Sequence, residues 1–98
     1  MATYILMTKL GAAQIEDLQK REEMGREWHA RIKAACPEVK FIAHYALLGS
    51  FDFMDIYEAP DEATAAKVSF ITQSMGATNA ESWTAIPYGQ FLEVVQDV

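Results

Sequence analysis

The stretch from His44 to Asp61, HYALLGSFDFMDIYEAPD, places a histidine, an aspartate and a tyrosine within two short runs of strand-forming residues. An imidazole beside a carboxylate is a chemically useful unit. The carboxylate fixes the ring tautomer and raises its affinity for a proton, which suits a general base or a proton shuttle. A nearby tyrosine hydroxyl can orient a carbonyl or phenol of a ligand. Gly49-Ser50, a pair with glycine first, suits a two-residue hairpin loop. On that turn Leu48 faces Phe51, Ala46 faces Phe53, His44 faces Asp55 and Ile42 faces Tyr57. Directly opposed residues share a face and lie about 5 Å apart at Cβ. His44 and Asp55 are the candidate catalytic groups, with Ile42, Phe53 and Tyr57 as candidate ligand contacts. Trp83, alternating with Asn79 and Glu81, is a further candidate wall. Each has a structural alternative. Buried polar groups are paired wherever they lie, so His44–Asp55 would serve equally in a subunit interface, and Trp83 as core or interface.

No other pattern carries chemistry. Cys36 and His29 invite a metal or thiol role, but no CxxC or HxH spacing accompanies them, so no metal site is expected. Cys36 falls at a helix C-terminus, where the dipole disfavours a thiolate. No cofactor is expected, since there is no glycine-rich phosphate loop and no GxSxG. Met7, Met24, Met54 and Met75 read as core filler. Asp52 reads as a backbone hydrogen-bonding residue of the hairpin end.

The elements that position these residues alternate clearly. Thr3–Leu10 is β-branched and aromatic and stops at Gly11, a first strand. Residues 12–35 read as a helix, with Ile15, Leu18, Gly25, Trp28, Ile32 and Ala35 on one face and Glu16–Lys20 and Glu27–Arg31 as charge pairs. Cys36-Pro37 ends it. Gly25 within it costs about 1 kcal/mol against alanine, so either the helix bends there or something packs closely. VKFIAHYALL and FDFMDIYEA are the next two strands. Asp61 is the expected N-cap of a second helix, with Thr64, Val68, Ile71 and Met75 buried and Gly76 as its stop. Thr78–Ile86 is the fourth strand, and a short helical turn is expected after Pro87. The order is that of an α+β, ferredoxin-like βαββαβ domain spanning residues 1–98, with a four-stranded antiparallel sheet covered on one face by helices.

Composition bounds the function. The chain has 98 residues, 51% of them hydrophobic, and a net charge of −6. Without a basic patch, nucleic acid and anionic membrane surfaces are not expected as partners. No apolar run approaches the roughly 20 residues that span a bilayer. The single cysteine points to a reducing, cytoplasmic setting. On the hairpin register above, Phe41, Ala43, Tyr45, Leu47, Met54 and Ile56 form the helix-covered face. Ile42, Ala46, Leu48, Phe51 and Phe53, with His44, Asp55 and Tyr57 among them, form the other. A solvated face should alternate to polar residues; this one does not, and a second sheet is expected to cover it.

MATYILMTKL, YALLGSFDFMDIYEAPDEATAAK and TAIPYGQF resemble the GYD-domain proteins, small bacterial and archaeal proteins; the resemblance covers most of the chain and is most specific in the middle block. It implies a ferredoxin-like fold assembled as a dimeric α/β barrel, and it brings neither an established reaction nor catalytic residues. Gly49 and Asp52 match the motif, whereas Phe51 stands where tyrosine is usual and Asp55 where the family's third strand is aliphatic. The expected function is a homodimeric, or larger, binding or sensing module. It would hold a small, partly apolar organic molecule between two sheets, walled by Ile42, His44, Phe53, Asp55 and Tyr57. One alternative is a cofactor-free monooxygenase- or isomerase-like enzyme with His44 as base, Asp55 as its orienter and Tyr57 as donor, by analogy of fold. Another is an interaction protein in which the His44–Asp55 pair is structural.

Overall fold

The computed structural model describes residues 1–11 and 17–98. The strands are β1 (Ala2–Leu10), β2 (Lys40–Ala46), β3 (Phe53–Ala59) and β4 (Ala77–Ala85); the helices are α1 (Leu18–Ala35), α2 (Glu62–Ser74) and α3 (Tyr88–Val94). The sheet is antiparallel in the order β2-β3-β1-β4, the ferredoxin-like arrangement. β1 and β3 are central, and the two edges are β2 and β4.

Local chemistry sets the element ends. Asp17, in extended backbone, accepts the Lys20 N–H at 3.1 Å and caps α1. The described helix begins at Leu18; the expected start at Ala12, with Ile15 and Glu16, lies outside the described residues. Leu18, expected on the buried stripe, is exposed, while Ile32 is fully buried. Asp61 caps α2 through the Thr64 N–H and hydroxyl, at 2.9 and 2.7 Å. Gly76, at φ 104°, takes the left-handed conformation that ends α2 at little cost to glycine. Asp52 bonds backbone as expected: its carboxylate accepts the Leu10 N–H at 2.8 Å.

The helices cover the face opposite to the one expected. Tyr4 and Leu6 of β1 lie level with Tyr57 and Asp55 of β3, and all four are buried. With Ile32 and Cys36 of the α1 end and Ala65 and Val68 of α2, Tyr4, Leu6 and Tyr57 form the core. Tyr45, Met54 and Ile56, expected under the helices, lie on the open face with Ile5 and Trp83. Period-two alternation states which residues share a face, and it is silent on which face the helices take.

The hairpin differs from the expected one at both ends. The ladder closes at Ala46–Phe53, and residues 47–52 form a longer loop, tied by the Leu47 N–H to the Asp52 carbonyl at 2.9 Å. Leu48 and Phe51 are thus not a pair. His44 opposes Asp55 as expected, but a bulge at Ile42 brings Phe41, not Ile42, opposite Tyr57. The extra residue shifts every position before it by one.

Candidate functional site

A cavity of about 850 Å³ opens between α1 and the helix side of the sheet, within the size range of ligand pockets, roughly 300–1,000 Å³. Its floor is Thr8 of β1, Phe41 and His44 of β2 and Phe53 and Asp55 of β3. Its roof is α1, through Leu18, Arg21, Met24, Gly25, Trp28 and His29. Thr72, Met75 and Ala77 close the end beside α2. The walls are mostly apolar, and the polar groups collect at named points.

The foremost is His44 with Asp55. The His44 Nδ1–H donates to Asp55 Oδ1 at 2.6 Å. The two side chains face different surroundings: His44 is 61% exposed and Asp55 only 4%. Burial pushes the Asp55 carboxyl above the usual carboxylate range, opposed by the charge and hydrogen bond of His44. With Nδ1 committed to the carboxylate, Nε2 is the ring atom left to meet a ligand. Phe53 supports the pair from one side, stacked on the His44 ring at 5.2 Å between centroids and 21° between planes. The Arg21 guanidinium lies over the same Phe53 ring at 5.3 Å, a cation–π contact that links α1 to the floor.

Trp28 fixes the roof. Its indole N–H donates to the Thr72 hydroxyl at 2.9 Å, and that hydroxyl donates to the Val68 carbonyl at 2.7 Å. Its ring packs on Phe41 at 5.2 Å. Gly25 leaves room: a Cβ built there meets nothing within 4 Å. Close packing therefore does not explain this glycine, which lines the cavity.

Of the residues expected at a ligand site, His44, Asp55 and Phe53 come together here. Tyr57, Ile42 and Trp83 do not. Tyr57 is fully buried in the core, stacked on Tyr4 at 5.5 Å, with its hydroxyl 2.8 Å from the Ser82 hydroxyl. Burial raises its pKa, partly offset by Ser82. It is thus not a donor beside His44, and the three-residue enzyme wall is not assembled. Ile42 is exposed at the bulge. Trp83 lies on the open face, its N–H donated to Glu81 at 2.9 Å. The wall lies between helix and sheet of one chain, because the dyad faces the helices. Arg21, Trp28 and His29 were missed as wall residues; Trp28 and Gly25, on one helical face, were the signal. Among the described residues no group of three or more His, Cys, Asp or Glu side chains is placed to hold a metal. No helix among them is long and apolar enough to cross a membrane.

The GYD domain family model matches residues 4–95. A protein of Thermus thermophilus named glutamine synthetase and cystathionine beta-lyase binding protein is 30% identical over 92 residues, covering 94% of this chain and 96% of that one. Among solved structures, the hypothetical protein PHS023 of Pyrococcus horikoshii superposes with a TM-score of 0.54 at 20% identity, over 89% of this chain and 92% of that one. At3g17210 of Arabidopsis thaliana superposes with a TM-score of 0.59 at 9% identity, over 89% and 95%. At these identities the structures speak for the fold alone.

Proposed function

The chain belongs to the GYD-domain family, and from that premise we propose that it is a homodimeric binding module that holds a small, partly apolar organic molecule between α1 and the sheet. The cavity walled by Trp28, Phe41 and Phe53 and floored by His44–Asp55 carries this reading. The apolar body of the ligand lies against the aromatic rings, and a polar group meets His44 Nε2. Asp55 acts by holding the His44 tautomer. Homodimerisation is supported by the apolar open face, and a reducing, cytoplasmic setting by the one cysteine, Cys36, buried and unpaired with another.

The test uses 8-anilinonaphthalene-1-sulfonate as an apolar probe in a Trp83→Phe background, where Trp28 is the remaining indole. Saturable quenching of Trp28 is expected. Gly25→Leu places a side chain against the open wall while improving helix propensity by up to about 1 kcal/mol, so it should abolish quenching and keep the fold. Quenching that survives Gly25→Leu unchanged would remove the cavity from the reading. His44→Ala should weaken binding of polar ligands about tenfold, the scale of one hydrogen bond.

The Thermus relative's name supports a second reading, in which this chain binds a larger enzyme. Gel filtration of the purified chain with glutamine synthetase tests it; co-elution is the expected result on that reading, and separate peaks count against it.

A further inference from the structure

The cavity wall differs in charge from the chain as a whole. The chain carries a net charge of −6. Around the cavity the charged groups balance: Arg21 and Arg26 of α1 stand against Glu22 of α1 and Asp55 of β3, with His29 and His44 neutral. One proton on the His44–Asp55 dyad leaves this wall with a single positive charge. A ligand with one negative charge cancels it. A dianion such as phosphate overshoots, beside two carboxylates already in place.

Arg21 is placed to meet that charge. Its guanidinium lies over the Phe53 ring at 5.3 Å, and the His44 ring stacks on the same Phe53 at 5.2 Å. One aromatic ring thus holds two groups able to carry positive charge, one from the helix and one from the sheet. Among the described residues the one ion pair is His44–Asp55, so Arg21 has no carboxylate partner among them. A planar guanidinium not spent on its own chain is well shaped to take a carboxylate from a ligand. His44 adds a second donor: with Nδ1 given to Asp55, a protonated ring offers Nε2–H. Beyond these groups the wall turns apolar. Gly25, one turn along α1 from Arg21, leaves a slot, and Trp28 follows on the same helical face, packed on Phe41. Thr8 of the central strand β1 lines the floor and is 5% exposed, and among the described residues its hydroxyl makes no hydrogen bond. A hydroxyl left open in so buried a wall is met by whatever fills the space.

We propose that the ligand is an aromatic carboxylate, its carboxyl group held between the Arg21 guanidinium and His44 Nε2 and its ring lying along the slot at Gly25 towards Trp28. This ligand class rests on the small-molecule reading above and adds what that molecule carries. Binding is coupled to a proton, since the dyad donates at Nε2 only in its protonated form. The charged and titratable groups that share the cavity with His44 are Asp55 from β3 and Arg21, Glu22, Arg26 and His29 from α1. Apart from the dyad itself, His29 is the side-chain type among these that titrates near neutral pH, so a variant of each histidine assigns the proton.

Two ligands of one shape separate charge from fit. The probes are 2-naphthoate and 2-naphthamide, titrated into the isotope-labelled full chain at about pH 6.5 and followed through the Trp28 indole N–H resonance. The naphthoate is expected to bind about tenfold tighter, the scale of one charge-assisted hydrogen bond. Arg21→Met keeps an apolar stem near Phe53 and should bring the two affinities together. As pH rises from about 6 to about 8, naphthoate affinity should fall in the wild type and in His29→Gln but not in His44→Gln, while naphthamide affinity stays level. Equal affinities for the two ligands, or a preference for the amide, with both lost in Gly25→Leu, overturn the carboxylate and leave the cavity reading standing. A naphthoate preference that survives Arg21→Met, or a naphthoate affinity level across that pH range, overturns the clamp. Saturation by neither ligand overturns the cavity reading and the ligand class together.

Discussion

Both faces of the sheet are apolar, but they treat polar atoms differently. On the helix face four side-chain links join separate elements. His44–Asp55 ties β2 to β3, Tyr57–Ser82 ties β3 to β4, Ser69–Ser82 ties α2 to β4, and Trp28–Thr72 ties α1 to α2. On the open face the links run within one strand, from Asn79 to Glu81 and from Trp83 to Glu81. Cross-links of the first kind brace a core and fix the walls of a cavity. Links of the second kind satisfy a surface in place and leave it flat. Apolar content alone does not separate a core from an interface; where the hydrogen bonds go does.

The strongest way to break this comparison is to cut matched side chains from the two faces of β1. Leu6→Ala empties a fully buried position and should cost about 2–5 kcal/mol, independent of protein concentration. Ile5→Ala, its neighbour on the open face, should cost half of that or less in dilute solution. Its cost should grow with protein concentration if a second copy covers it. Thermal unfolding at two concentrations decides; equal, concentration-independent losses would erase the distinction.

A smaller effect sharpens the helix side. Burial raises the Asp55 carboxyl pKa in the folded state, so the folded protein holds that proton more tightly than the unfolded one. The associated stability is fully present below the unfolded value, near 3.9, and is lost as pH rises through the folded value. Asp55→Asn keeps an acceptor for His44 and removes this dependence. The melting temperature of the variant, measured against wild type from pH 4 to 7, should rise relative to it as pH increases. A constant difference across that range would count against a desolvated carboxylate. Asp61 gives the opposite sign and the smallest effect. Hydrogen bonds from the Thr64 backbone and hydroxyl lower its pKa, so its contribution is present above about 3.9 and lost as pH falls through the folded value. Asp61→Ala should lower the melting temperature by a few degrees at pH 7 and by less in acid.

Much of this architecture is legible in the residues. Strand patterning, the Asp61 cap, the Gly76 stop and the His44–Asp55 pairing all follow from local rules and appear in place. The site is legible only in part. His44, Asp55 and Phe53 could be put on one face, but the face was assigned to a second subunit because its apolar residues needed a cover that α1 in fact supplies. Trp83 was misplaced for the same reason, since alternation relates residues along one strand and not across β1 to a given helix. Ile42 failed because nothing in KFIAHYA marks the bulge. The α1 wall, from Arg21 to His29, needed the tertiary contact of helix on sheet, which Trp28 and Gly25 hint at by sharing a face.

The bulge at Ile42 has a meaning beyond register. It interrupts β2, an edge of the sheet, where an unbroken row of free amide and carbonyl groups would invite another chain to add itself. The extra residue twists and misaligns that row, and Lys40 at its start adds charge. An edge so spoiled is a poor template for strand addition. Growth sideways into ribbons and fibres is discouraged, and on the homodimer reading proposed above association is left to the sheet's open face, where a pair of copies would close on itself and stop.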